Sequence, residues 1–449
     1  MLMENFKSVI GYVPYVNTGT ILDVATGKFQ PGANGKWVLN GGLGLITGVS
    51  GRAQTYKSGI AGSLMARALY HYKETEATVY ETEFTIQDSS RYDDFVPEKV
   101  SDRIIFNNRA TMNLGDFYDH LKEIGELKLK NKKDMTVDSP FIDPKTMKPY
   151  RIWIPTFAMC DSWSKAGSGK EDEMYNSKAR MDDSSMNTLY MQEGGVKTRI
   201  LRALPTLAAK YGIHVILTAH VGNKIDMDMY NKAPKQLQYM KGNDKMKNVG
   251  SEFEFLTTAL IQTAGVSPLH ASDKKSTMFP FIHSTLNEVN EVTGVMLRGK
   301  NNASGVAVPY VVSQYQGILN DVTNFYLCRK NGDFGLKASG RSDYTPMLGE
   351  HKSINRLNLR DRTSKEKELC RALEIMAHIC YIQNYWSLFN VEDWVRTPIE
   401  TVGEVLSNTT NPTVSDILNS TGVWGYGKQD KNYMSAFDVL ELVSKIKKK

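Results

Sequence analysis

LGLITGVSGRAQTYKSGIAGSLMARALYHYKE, residues 43–74, reads as three consecutive pieces. LGLITGV (43–49) is a short apolar run suited to a buried strand, GVSGRAQTYKS (48–58) is a glycine-bearing loop, and KSGIAGSLMARALYHYKE (57–74) has the period of an amphipathic helix. Gly51, four intervening residues, Tyr56, Lys57 and Ser58 match the phosphate-loop pattern GxxxxGK[ST], with Tyr in place of the second Gly. In that context amides at the helix start point at a β-phosphate, Lys57 neutralises phosphate charge and the Ser58 hydroxyl ligates Mg²⁺. The pattern assigns Gly48, Ser50, Gly51, Gln54, Thr55, Tyr56, Lys57 and Ser58 to nucleotide binding. The bland alternative is a Gly-rich turn with an exposed lysine; the strand and helix on either side weigh against it.

Outward from this unit the same rhythm continues. ATVYETEF (77–84) predicts a second strand, GDFYDHLKEIGEL (115–127) a helix, and RIWIPTFAMCDSW (151–163) a strand with an acid at its carboxyl end. VKTRILRALPTLAAKYG (196–212) predicts a helix with a kink at Pro205, and IHVILTAH (213–220) and FLTTALIQTAG (255–265) predict buried strands. Alternating strands and helices imply an α/β fold with a mainly parallel central sheet flanked by helices. Residues 128–150, 164–192 and 222–249 are polar connections longer than ordinary ones, and such loops are often functional. Beyond about residue 330 the rhythm weakens, leaving SKEKELCRALEIMAHICYIQNYWSLF (364–389) as a helix in a smaller, mostly helical carboxyl-terminal region. The expected organisation is an amino-terminal segment 1–36, a core 37–330 and a carboxyl-terminal region 331–449.

At 449 residues the chain is too long for a peptide-sized module, and 41% hydrophobic with 23% charged residues excludes a mainly disordered chain. The net charge of +6, from 55 Lys and Arg against 49 Asp and Glu, is mild, so affinity for nucleic acid has to come from local clusters. Cys160, Cys328, Cys370 and Cys380 form no CxxC pair and no disulfide framework, which implies a reducing, cytoplasmic setting. The opening MLMENFKSVIGYVPYVNTG lacks the pattern of an export leader, and no apolar stretch of about 18 residues predicts a membrane span.

Phosphate chemistry on such a sheet needs carboxylates at strand ends beside the loop. Asp161 closes IWIPTFAMCD, and Glu81 and Glu83 fall on one side of ATVYETE by alternation. His220 closes IHVILTAH, where a polar side chain can sense a γ-phosphate. No HExxH or Cys/His cluster is present, so Mg²⁺ carried by the nucleotide is the expected metal, held by Ser58 and Asp161. GSGK (167–170) resembles the end of a second phosphate loop, but Glu171 stands where a metal-binding hydroxyl belongs. The stretch 221–248 carries Lys224, Lys232, Lys235, Lys241, Lys245 and Lys247 with Tyr230 and Tyr239 between them, a mixture that tracks phosphates and stacks on bases of single strands. In GVMLRGKNNASG (294–305), Arg298 and Lys300 share one face of an extended segment.

Taken together these residues resemble the RecA superfamily of ATPases, and within it the phage UvsX-type recombinases. The features are the aromatic Tyr56 before Lys57, YETEF (80–84), CDSWSK (160–165) and TAH (218–220), and the likeness spans about residues 40–320. The resemblance implies ATP and Mg²⁺ as cofactors, Lys57, Asp161 and Glu83 as catalytic residues, and His220 as the link between ATP state and DNA. It implies that Arg298 and Lys300 reach the ATP of a neighbouring subunit, so the active form is a homo-oligomer to which segment 1–36 is a candidate contributor. Residues 164–192 and 221–248 match the family's two DNA-binding loops. The implied activity is homologous pairing and strand exchange by a filament on single-stranded DNA, with duplex DNA, single-strand-binding and mediator proteins as partners. Region 331–449, beyond the likeness, is expected to be a DNA or partner contact. KNNASG also resembles a stretch of DnaB-type hexameric replicative helicases, the alternative reading; a non-enzymatic DNA-binding scaffold is a third. The family's acidic tail is absent, and the sequence ends SKIKKK (444–449).

Overall fold

A computed structural model describes residues 11–83, 86, 88–107, 113–167, 185–224, 234–282, 284–340, 342–388, 391–426 and 432–448. Among these, ten strands form the main sheet: β1 (Ile46–Gly51), β2 (Glu76–Glu81), β3 (Ile104–Asn107), β4 (Thr156–Asp161), β5 (Ile213–Asn223), β6 (Asp244–Met246), β7 (Ala259–Pro268), β8 (Val289–Gly299), β9 (Ala307–Ser313) and β10 (Gly317–Ile318). β1 is buried at every residue because β7 and β5 pair with its two edges, both in parallel. Strands covered on both faces read as apolar runs and not as alternation, which is why these segments stand out in the sequence. β4, β2 and β3 extend the parallel run beyond β5, whereas β8, β9 and β10 continue antiparallel from β7. The fold is therefore α/β with a large, mainly parallel sheet flanked by helices, joined to a smaller helical region.

The main helices are α1 (Ile21–Thr26), α2 (Lys57–His71), α3 (Leu114–Lys130), α4 (Ser185–Tyr211), α5 (Asn320–Lys330), α6 (Lys367–Tyr385) and α7 (Ala436–Lys447). Capping boxes start α3 at Asn113 with Asp116 and α7 at Ser435 with Asp438, each satisfying amides that the helix itself leaves unpaired. Alternate residues of β4 divide between two cores: Phe157 and Met159 join the cluster of α2 and α6, whereas Ala158 and Cys160 face Phe117 and Leu121 of α3 and Leu204 of α4. The sheet is thus sandwiched between helices.

Four elements differ from the sequence expectation. The run 151–163 is two strands, because Pro155 has no amide to give a ladder; RIW belongs to a hairpin of Thr136–Asp143 with Lys148–Trp153, and β4 starts at Thr156. β2 stops at Glu81, and α4 starts at Ser185, eleven residues ahead of the predicted helix, with Pro205 inside it. In 255–265 the first residues belong to a helical turn, Phe253–Leu256, before β7 begins.

Residues 24–37 pack against residues 386–438. Phe29 stacks on Phe437 with ring centroids 4.2 Å apart, the Trp37 amide donates to Asp438 Oδ1 at 2.7 Å, and Trp386 Nε1 donates to the Val24 carbonyl at 3.0 Å. Among the described residues no helix is long and apolar enough to cross a membrane.

Candidate functional site

The parallel strands end along one edge. Register places Gly51 opposite His220 on β5 and opposite Thr263 on β7, and Glu81 opposite Asp161. Segments leaving these carboxyl ends arrive above one crevice, the place where open α/β sheets bind ligands.

The loop from β1 to α2 curls tightly. Gln54 and Tyr56 both have φ of 59°, a left-handed conformation that costs a side-chain-bearing residue about 1–2 kcal/mol. Tyr56 occupies the position where the phosphate-loop pattern has glycine, and its hydroxyl accepts a hydrogen bond from Asn290 Nδ2 at 2.9 Å, which tethers the ring while the backbone turns. Beneath the loop there is no spare room: a Cβ on Gly51 would lie 2.0 Å from Thr263 Oγ1 and 2.4 Å from Thr55 Oγ1. Gln54, Thr55, Tyr56, Lys57 and Ser58, with Gln314 and Val266, line a cleft of about 570 Å³. Tyr56 provides no side-chain cap for α2, so the positive end of a 15-residue helix is directed at this loop. Gly48 and Ser50 sit lower, inside β1, where the Ser50 hydroxyl donates to the Ile261 carbonyl at 3.2 Å.

Lys57 is the first residue of α2 and only 8% exposed. Next to it, Ser58 Oγ donates to Asp161 Oδ1 at 3.1 Å, and Thr218 Oγ1 donates to the same oxygen. Asp161 is 2% exposed, and burial lifts its carboxyl above the ordinary range against the pull of Thr218, Ser58 and the Lys57 charge. Glu83 lies just past β2. Its Oε1 accepts from Ser162 Oγ at 2.9 Å and is paired with His220 Nε2. Burial raises this carboxyl, but the hydrogen bonds from His220 and Ser162 and the nearby Lys57 charge outweigh it and hold Glu83 below the usual carboxylate range. Glu81 has a different part: its Oε1 accepts the Glu83 amide at 2.8 Å and braces the turn. A hydroxyl beside a carboxylate is the hard oxygen set that Mg²⁺ prefers, and Lys57 is a cation placed beside both acids; these residues fit Mg²⁺ and a triphosphate.

His220 also connects outward. Its amide donates to Ser164 Oγ at 2.9 Å, that hydroxyl donates to the Lys247 carbonyl at 2.9 Å, and the Lys247 amide returns to the His220 carbonyl at 2.9 Å. Lys235, Lys241, Lys245 and Lys247 are exposed, and Tyr239 is 44% exposed with its ring over Gly305, where a Cβ would meet it at 2.5 Å. Lys224 Nζ donates to the Pro234 carbonyl at 3.1 Å. Tyr230 and Lys232 lie outside the described residues, as do 168–184, which hold most of the first expected DNA loop and the last three residues of GSGK.

Arg298 and Lys300 are not part of this crevice within one chain. Arg298 stands opposite Leu260, on the rung of Gly48, and Lys300 continues away from the phosphate loop. The Arg298 guanidinium lies 5.8 Å from the centroid of exposed Phe255, and its Nε is buried without a hydrogen-bond partner among the described residues. Burial, and then the Arg298 charge, lower the Lys300 pKa.

Four participants were not singled out from the sequence. Thr218 and Ser162 each adjoin a chosen residue in a strand end, so alternation from His220 and adjacency to Asp161 were the available signals. Asn290 and Arg52 had none, because their partners are 234 and 192 residues away.

No protein-family model and no curated protein matches this sequence. Among solved structures the chain is similar to the crystal structure of the RadB recombinase, at 15% identity and a TM-score of 0.32, over 62% of this chain and 92% of that one. A likeness at that level does not bear on function.

Proposed function

We propose that this chain is an ATP-dependent DNA recombinase of the RecA superfamily, of the UvsX type, which assembles on single-stranded DNA and exchanges it with homologous duplex. The observation that carries the reading is the crevice at the carboxyl edge of the sheet, where Lys57, Ser58, Asp161, Thr218, Glu83 and His220 converge beneath the 51–58 loop and His220 opens onto a lysine-rich segment. Lys57 and the first amides of α2 hold the phosphates, and Ser58 with Asp161 holds Mg²⁺. Bound ATP and Mg²⁺ supply the transferable phosphoryl group and the charge that activates it. Glu83, kept ionised below the usual range, accepts a hydrogen bond from the attacking water and orients it. His220 shares Glu83, so any change in that pairing is felt by Ser164 and Lys247, at the base of the basic segment. Arg298 and Lys300, which the register keeps away from their own Lys57, serve the nucleotide of an adjacent subunit, as a positive finger stabilising charge on the phosphoryl group. Residues 37–330 are the ATPase core in this reading, 1–36 contributes to assembly and 331–449 to DNA or partner contacts.

The test pairs microscopy with turnover. With single-stranded DNA and a slowly hydrolysed ATP analogue, negative-stain images show helical filaments; closed six-membered rings would instead establish the DnaB-like helicase alternative. DNA-stimulated phosphate release in the wild type falls by about 100-fold or more in Lys57→Ala, since that charge stabilises the transferring group. Absence of release from the wild type, with no change in the variant, leaves only the scaffold reading.

A further inference from the structure

Arg52 is the residue after Gly51 in the phosphate loop. Its side chain is 46% exposed, yet the Nε and Nη2 side of the guanidinium is engaged. Nε donates to Asp244 Oδ1 at 3.2 Å, and Nη2 bonds that same oxygen and Asn223 Oδ1, the latter at 2.8 Å. Asn223 and Asp244 are partners across the β5–β6 ladder. They form the neck where the chain leaves the sheet towards Lys224 and returns through Lys241, Lys245 and Lys247. Asp244 does not move freely: it is 3% exposed, and its other oxygen accepts from Gln262 Nε2 at 2.6 Å, on β7 opposite Ser50 of β1. One planar fork therefore ties the curled loop to both strands of the neck, a geometry that a lysine's single ammonium does not reproduce.

We propose that Arg52 is a positioning residue that couples the shape of the phosphate loop to the basic segment. A loop wrapped on a triphosphate keeps Arg52 on Asn223 and Asp244, which fixes Lys241, Lys245 and Lys247 for a nucleic-acid backbone; a relaxed loop withdraws it. This route is separate from the one through Glu83, His220 and Ser164, and it rests on the nucleotide and DNA reading given above. Arg52 is half exposed but Asp244 is buried, so urea midpoints of variants at either position separate a loss of coupling from a loss of fold.

The measurement is the ratio of single-stranded oligonucleotide affinities with and without a slowly hydrolysed ATP analogue and Mg²⁺, read by fluorescence anisotropy, with nucleotide affinity alone measured in parallel. Coupling between two sites typically amounts to about 5- to 150-fold. In Arg52→Met and in the isosteric Asp244→Asn the ratio falls towards one, and the double variant falls no further, because both act on one link. Arg52→Lys restores part of it. By reciprocity DNA also ceases to tighten nucleotide binding in the same variants, an effect that a merely structural role does not produce. If the wild type shows the coupling and both single variants keep it, Arg52 has no such part while the functional reading stands. A wild type that binds neither nucleotide nor DNA removes both.

Discussion

Asp161 Oδ1 takes hydrogen bonds from Ser58 and from Thr218 while the carboxyl is almost wholly buried, and burial alone would favour its neutral form. In the proposed Mg·ATP site Ser58 would turn to the metal, which would leave Thr218 as the partner orienting the acid. Partners behind a metal-supporting residue commonly matter by about 10- to 100-fold in affinity or activity when removed. Thr218→Val keeps the shape of the side chain and deletes the donor; DNA-stimulated phosphate release at limiting Mg²⁺ drops within that range, and Thr218→Ser recovers most of it. A Val variant that turns over like the wild type across a Mg²⁺ titration would show that Asp161 needs no such support. Glu83 illustrates the opposite balance. There the hydrogen bonds outweigh desolvation, and the same crevice holds one acid pushed up and another pushed down, the separation that lets two carboxylates take different tasks.

At the scale of elements, α3 is fastened to the sheet by Lys128. Its ammonium donates to the Ile154 carbonyl at 2.7 Å and to Thr156 Oγ1 at 2.9 Å, and burial pushes its pKa down to about 7. An unfolded lysine titrates near 10.4, so between about pH 7 and 10 the unfolded chain holds the extra proton and unfolding becomes costlier as pH rises, by at most about 1.4 kcal/mol per pH unit from this group. Below about pH 7 folded and unfolded chains both carry the charge, and this contribution is flat. Urea midpoints at pH 6.5 and 9 therefore rise more steeply for the wild type than for Lys128→Met; parallel pH profiles would show that the amine is not desolvated. The elements around the crevice were legible because buried strands leave apolar runs and polar residues close them: Asp161 ends β4, whereas β5 runs past His220 to Asn223. Pro155 marked a break that the apolar stretch 151–163 concealed, since IWIP and TFAMC look continuous until one asks which amides can join a ladder. Partners such as Arg52 with Asp244, or Tyr56 with Asn290, left no trace in the sequence, because only the folded sheet brings those segments side by side.

At the scale of the whole molecule, residues 29–39 close on residues 386–438. Phe437 of α7 stacks on Phe29, meets Trp37 and Trp394 edge-on and lies beside Trp386, while Leu39 and Trp37 amides bond Tyr433 and Asp438. This aromatic group belongs to the same continuous apolar cluster as Ile60 and Leu64 of α2, the helix that begins at the phosphate loop. The carboxyl-terminal region is thereby anchored to the amino-terminal segment and, through shared packing, to the sheet. Truncating a buried Phe of this kind costs about 3–5 kcal/mol, from lost transfer free energy and the cavity left behind. Phe437→Ala consequently lowers the urea midpoint. If these segments and the sheet unfold as one cooperative unit, the loss appears in a single transition whether it is followed by tryptophan fluorescence, to which Trp37, Trp386 and Trp394 contribute beside Trp153, Trp163 and Trp424, or by far-ultraviolet circular dichroism, which reports every helix and strand. A variant whose fluorescence splits into an early step and a step at the wild-type midpoint, with the main circular dichroism transition unmoved, would show instead that these segments form a unit of their own, resting on the sheet without stabilising it.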